Sequence, residues 1–304
     1  MEAPLTPTQQ ARSLVPFITV TLIWSSTWLV ITGQLGTVPP SWSVTYRFLV
    51  AAVAMVAYAL VRRESLWLTP RQIGLAALVG LFHFTINFNT LYRAEQYIAS
   101  GLVALLFALL IVPNAVLARI FLKQQVSLRF LVGSVIAIGG VAILFAHELA
   151  ASGAGAAAVA IGVGLTSISI LAASISNVMQ AAPTVRAAPL APMLSWSMLI
   201  GAAGSAVYAW ITAGPPVMDW RPSYIAGMLY LGIAASTLTF PLYFGVIRAI
   251  GPARAAYSSV LIPIVAMGLS TIFEDYRWSL QSAIGCALTL VGLVVALRAR
   301  SPAA

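Results

Sequence analysis

Polar side chains set in the middle of long apolar runs are the residues of this sequence with chemistry to offer. His83 and Asn87 stand four residues apart, so on a helix they share one face. Trp24, Ser25, Ser26, Thr27 and Trp28 make a hydroxyl patch flanked by indoles, Ser167, Ser174 and Asn177 repeat at spacings of seven and three, and Ser236 and Thr237 fall together in a later run. Such groups are costly in hydrocarbon unless they face protein or a wet cavity, so their positions mark a path or a binding cavity. Indoles, an imidazole, amides and hydroxyls without paired charges suit a neutral or zwitterionic molecule with an apolar side chain. The expected chemistry is therefore recognition, with Trp24, Thr27, Trp28, His83, Asn87, Ser167, Ser174, Asn177, Ser236 and Thr237 as substrate-binding residues. The competing reading of each serine or threonine is structural, since a hydroxyl in a span often bonds the carbonyl one turn back or packs between helices.

Bond-breaking chemistry has little to work with. The sequence contains no GxxxxGK[ST] loop, no HExxH, no GxSxG and no His/Cys metal spacing, so no catalytic residue, cofactor or metal is expected. The apolar runs hold no Asp or Glu, which excludes, at this level, both a membrane hydrolase and proton coupling through a buried carboxylate. Sodium coupling stays open, because unwound carbonyls and hydroxyls also hold that ion. Arg47 falls about two turns inside the outer end of its run and is expected to snorkel or to pair with an outer carbonyl, with direct contact to the substrate as the lesser reading. Cys286, the one cysteine, reads as a small packing residue.

The elements that must position these residues are ten apolar runs, over residues 13–33, 40–61, 71–92, 97–121, 128–147, 156–180, 190–212, 222–247, 252–273 and 279–298. Each reaches about 20 residues or more, the length that crosses a bilayer as a helix. A chain of 304 residues that is 61% hydrophobic and 8% charged has too little polar surface for a soluble globule, and an all-α integral membrane protein in contact with the lipid bilayer is expected. Placing the N-terminus in the cytoplasm puts Arg12, Arg62, Arg63, Arg71, Arg119, Lys123, Arg129, Arg186, Arg248, Arg254, Arg298 and Arg300 inside. The outer loops then carry Arg93, Arg221 and Arg277 against Glu95, Glu148, Asp219, Glu274 and Asp275. That is the positive-inside pattern, and with it both termini are cytoplasmic. The net charge of +9 thus belongs to helix ends facing anionic headgroups and does not call for nucleic acid. Trp42, Trp67, Trp220 and Trp278 read as interface anchors, and the N-terminal residues show no cleavable leader.

The chain repeats itself. Leu91, Tyr92, Pro113, Gly133 and Gly140 recur roughly 150 residues on as Leu242, Tyr243, Pro263, Gly285 and Gly292, dividing it into residues 1–150 and 151–304 with a small-residue joint at Ala150 to Ala158. Five spans per half is odd, so the second half must enter the membrane upside down: two five-helix inverted-topology repeats, an arrangement suited to alternating access. Pro113, Pro241 and Pro263 fall inside spans, where each frees a carbonyl one turn earlier, and are the expected hinges. Gly133, Ala137 and Gly140, and Gly285 with Gly292, line up small residues for close packing, as scaffold or as a dimer seam.

Trp24-Ser25-Ser26-Thr27-Trp28, Tyr46-Arg47-Phe48, the stretch from Ala99 to Pro113, and Glu274 followed by Gly285 and Gly292, taken in this order, resemble the EamA-type members of the drug/metabolite transporter superfamily over nearly the whole chain. Within it the chain is most similar to bacterial aromatic amino acid exporters of the YddG type. The resemblance implies a bacterial inner (plasma) membrane protein with a central cavity that exports amino acids or related amphipathic metabolites. Where the first repeat of that family usually has a glutamate after its fourth span, this chain has Lys123-Gln124-Gln125, while the second repeat keeps Glu274. A secondary transporter of small molecules is the expected function, with an exporter of another metabolite or drug class as the main alternative, and a channel or a structural membrane protein behind it. The oligomeric state is open, a monomer included.

Overall fold

A computed structural model describes residues 7–151, 155–243 and 258–298. Arg248, Arg254 and Arg300, the middle of the small-residue joint, the end of the eighth predicted run and the start of the ninth lie outside the described residues. All regular structure among the described residues is helical. We label the helices α1 (Pro7–Thr32), α2 (Pro40–Val61), α3 (Pro70–Ala94), α4 (Ser100–Leu122), α5 (Leu128–Ala151), α6 (Ala156–Ala181), α7 (Leu190–Ala213), α8 (Pro222–Tyr243), α9 (Ser258–Phe273) and α10 (Leu280–Arg298), with one extra turn at Pro183–Arg186. Eight of them are long and apolar enough to cross a membrane, and Ile18–Thr32 and Leu261–Phe273 are shorter apolar helices.

Local sequence explains the ends. Proline occupies the first turn of α2, α3 and α8, where its missing N–H costs nothing and its φ is already helical. Thr69 and Gln72 close a reciprocal cap on α3, and Lys123 ends α4 in the left-handed region. The outward faces carry Val53, Leu60, Phe121, Val135, Ile168, Val207 and Ile272, all exposed. That much contiguous apolar surface fits hydrocarbon as its solvent. Trp67 and Trp220 are exposed as anchors should be, but Trp42 is 5% exposed: its ring stacks on Tyr46 and its indole N–H donates to Gly214 O at 3.2 Å. It is therefore part of the interior. The loop after α7 covers it, which its position near a span end did not reveal.

Helices from early in the chain pack on helices from late in it. α2 lies along α7, α5 along α10, α1 against α9 and α8, and α6 against α3 and α4. The closest approach is α5 with α10, where an added Cβ on Gly133 would lie 2.3 Å from Ala296 N and one on Gly292 2.3 Å from Ala137 N. Only glycine admits backbones this near. The stripe of small residues is thus used within the chain. Gly80 of α3 backs onto Ser197 O and Gly201 N of α7, and Gly232 of α8 backs onto Arg47 O and Val50 of α2.

Candidate substrate site

Two helices of the bundle widen at mid-length. Gly80–Asn87 in α3 and Tyr230–Leu238 in α8 are π-helical, a rare geometry that collects at functional positions. Hydroxyls reach back across the wider turn: Ser236 donates to Leu231 O at 2.8 Å, and Thr237 to Gly232 O at 3.1 Å. Each widened helix also ties itself to a neighbour, Thr85 donating to Gly201 O at 3.0 Å and Thr237 to Ala51 O at 3.1 Å. No feature of composition or periodicity announces these turns.

His83 projects from the α3 segment into an aromatic box. Its ring centroid lies 4.9 Å from Phe84, 5.2 Å from Phe240 and 6.2 Å from Phe88, and the residue is 7% exposed. Its Nδ1 is buried without a partner among the described residues. Asn87 uses both ends of its amide: Nδ2 donates to His83 O at 3.1 Å and Oδ1 accepts from Ser169 at 2.6 Å. Trp24 crosses to α8, its indole N–H donating to Ala235 O at 3.2 Å and Thr239 Oγ1 at 2.9 Å while its ring meets Phe240 and Tyr243. Trp24, Phe240, His83 and Phe88 thus form one continuous aromatic wall.

Phe88 joins that wall to Arg47. Arg47 is 2% exposed, with its guanidinium 4.5 Å from the Phe88 centroid and 5.3 Å from that of Phe48. Its Nε donates to Ser236 Oγ and its Nη1 to Tyr92 OH, each at 3.3 Å. Among the described residues no carboxylate lies within 4.0 Å of it; the ion pair found there is Arg221 with Asp219. The expectation that Arg47 would snorkel or meet an outer carbonyl is corrected: the wider turn of α8 turns Ser236 toward it and closes it in. Its signal in the sequence was an ionisable residue inside an apolar run, without indication of its partners.

The other expected residues divide. Trp28 is buried against Phe107, and among the described residues neither its indole N–H nor the buried Ser174 hydroxyl has a partner. Orphaned buried polar atoms are few in native proteins, and each needs an explanation such as a ligand. Thr27 turns back onto Trp24 O at 2.7 Å, and Asn177 is half-buried. Ser167 is exposed, bonded to Val163 O at 2.8 Å, so it does not join a buried cavity. The inner face of α6 runs instead through Thr166, Ser169, Ala173 and Ser176, all buried. Ser169, which meets Asn87, was missed because the chosen phase was set by Ser167. A groove of about 400 Å³ between α1 and α8, bordered by Val30, Gln34, Gly227 and Tyr230, includes none of the ten expected residues. Pro113 follows a tightened 3₁₀ stretch at Ala108–Leu110, and Pro241 and Pro263 lie within α8 and α9.

Carboxylates are nearer the bundle than their loop positions suggested. Glu95, the residue after α3, is 7% exposed and hydrogen-bonded to Thr32 of α1, as is Glu274, the residue after α9. The runs themselves hold no acid, as read, but the exclusion of a buried carboxylate is corrected, since Glu95 is buried just past the end of α3. α1 and α9 pack together at this end and enclose what a hydropathy reading assigns to loops.

Comparison with known proteins agrees with this architecture. The profile of the EamA-like transporter family matches residues 12–146 and again 159–298. Protein PagO of Salmonella typhimurium is 25% identical over 94% of this chain and 92% of its own length. YedA of Escherichia coli, named an uncharacterized inner membrane transporter, is 27% identical over 90% and 88%. YoaV of Bacillus subtilis, an uncharacterized transporter, is 19% identical over 93% and 95%. A solved crystal structure with 19% identity superposes with a TM-score of 0.69 over 94% of this chain and 97% of its own. With two matches that together span nearly its whole length, the chain belongs to the EamA-like transporter family and is a multi-pass membrane transporter.

Proposed function

We propose that this transporter exports amino acids, aromatic and other neutral amphipathic ones, across the bacterial inner membrane by alternating access. The observation that carries the substrate class is Arg47. A guanidinium has five N–H donors, and here two are used, both on neutral oxygens, in a place closed to water. Burying such a charge with no carboxylate in contact is expensive, so the site calls for an anion that no described residue supplies within 4.0 Å. A carboxylate matches the planar fork of arginine with two parallel hydrogen bonds. The wall of Trp24, His83, Phe88 and Phe240 next to it accepts an apolar or aromatic side chain. The orphaned donors and acceptors of Trp28, His83 and Ser174 remain for the amino group or its hydration.

Alternating access rests on an inverted repeat, and paired contacts support that reading. Gly80 on Ser197 answers Gly232 on Arg47, Thr85 on Gly201 answers Thr237 on Ala51, and the Gly133 and Gly292 approach answers that of Gly285 and Gly140. Pro113, Pro241 and Pro263 would serve as the hinges, and the positive-inside pattern puts both termini in the cytoplasm. The test is counterflow in proteoliposomes with labelled tyrosine, competed by tyrosine or by tyramine, which lacks the carboxylate. Tyrosine should compete and tyramine should not. Equal competition would remove the carboxylate reading, and flux that does not saturate would make the protein a channel.

A further inference from the structure

Thr32, the last residue of α1, brings two carboxyl groups together. Its Oγ1 lies 3.1 Å from Glu95 Oε2 and 2.9 Å from Glu274 Oε1. A threonine hydroxyl has a single hydrogen, and two ionised carboxylates have none. Both contacts can be full two-centre hydrogen bonds only when one carboxyl carries a proton; otherwise the two carboxylates must share one hydrogen. A third neighbour, Trp28 O at 3.3 Å, can only accept, so it does not relax the requirement.

The partners say which carboxyl that is. Glu274 Oε2 accepts from the Ser100 backbone N–H at 3.1 Å and from the Ser270 hydroxyl, so with Thr32 it has three donors, the setting of an ionised carboxylate. Glu95 has none of these supports. It is more than nine-tenths buried, and its Oε1 lies in the interior with no donor among the described residues. Burial pushes the Glu95 carboxyl well above the usual carboxylate range. The Glu274 charge adds to that shift and the Arg47 charge opposes it. The charged and titratable groups that face Glu95 are thus Glu274, Arg47 and the Tyr92 phenol.

We propose that Glu95 and Glu274 bind one proton between them through Thr32, and that this proton latches the outer ends of α1, α3, α4 and α9, making the carrier proton-sensitive. The hydrogen-bond chain runs from Glu95 Oε2–H to Thr32 Oγ1, and from Thr32 Oγ1–H to Glu274 Oε1. Four segments meet in it: Thr32 from α1, Glu95 after α3, Ser100 at the start of α4, and Ser270 with Glu274 at the end of α9. Removing the proton leaves two carboxylates facing one hydroxyl, which repel and part. The sign follows: closure takes up a proton, so the latched form prevails at low pH and is lost as pH rises through the raised Glu95 value. Between the open-state and latched-state values its population falls about tenfold per pH unit. That the latch lies on the outer side rests on the topology proposed above; the proton itself does not.

Infrared difference spectroscopy on the purified full chain in lipid reads the proton without any substrate, so failure of the amino acid reading leaves this result standing. At neutral pH the wild type should show a carboxylic acid C=O band that disappears on alkalinisation. Glu95→Gln should abolish it, because its amide imitates the protonated acid without being one. Thr32→Val should shift or lose the band, and Thr32→Ser, which keeps the hydroxyl, should retain it. Counterflow in Glu95→Gln should become independent of external pH. The proposal is overturned if the wild type lacks the band at neutral pH, if the band survives in Glu95→Gln, or if it responds to sodium at fixed pH and not to protons.

Discussion

Replacing Arg47 with methionine separates a binding arginine from a structural one. In the free protein the guanidinium gains two cation–π contacts, each worth about 0.5–2 kcal/mol, and two long hydrogen bonds worth about 1 kcal/mol each. Against these stands a desolvation cost of several kcal/mol for a charge that is 2% exposed. The two sides nearly cancel, so Arg47→Met should leave folding stability within about 2 kcal/mol of wild type, in either direction. An arginine paired with a buried carboxylate would instead lose about 3–5 kcal/mol on truncation. Substrate binding should respond quite differently. Two charge-assisted hydrogen bonds at about 1.5–3 kcal/mol each put the loss at a hundredfold or more in affinity. Thermal unfolding of the purified protein, with and without amino acid, tests both statements. Ligand at about one hundred times its Kd stabilises the wild type by about 2.7 kcal/mol, and that increment should vanish in Arg47→Met. Arg47→Lys keeps the charge but not the fork and should recover only part of it. Destabilisation beyond about 3 kcal/mol, or a full ligand-induced increment in the methionine variant, would refute the reasoning.

Further outcomes follow from the same contacts. Gly292→Val places a branched side chain where even a Cβ lies 2.3 Å from Ala137 N, and backbone cannot yield as a flexible side chain can; a loss of more than about 3 kcal/mol, or of folded yield, is expected, and a normal melting curve would dismiss the α5 and α10 seam. Asn87→Ala strands the Ser169 hydroxyl and should cost about 1–3 kcal/mol, while adding Ser169→Ala restores part of it; additive losses in this cycle would mean that the pair is not coupled. His83→Phe suits the aromatic box, so it should fold within about 1.5 kcal/mol of wild type yet transport at least tenfold more slowly, and unchanged counterflow at equal incorporation would take the imidazole out of the site.

The amino-acid sequence by itself determined that the chain is helical and membrane-spanning, where most of its helices run, and that Gly133, Gly140, Gly285 and Gly292 mark a close contact. Hydropathy and helical period are local properties, and each of these conclusions depends on residues within a few turns of one another. The tertiary structure alone decided what faces what. Ser169 and not Ser167 meets Asn87, because the phase of a face does not say which neighbour it finds. Arg47 is buried because Ser236 arrives from a π-helical turn nearly two hundred residues later, and the widened turn leaves no trace in apolar spacing. Glu95 and Glu274 look like loop residues at their own positions, and become a pair only because α1 places one hydroxyl between them. A charge's environment is set by atoms far away in sequence, so the surroundings of the buried charged groups were the least legible feature.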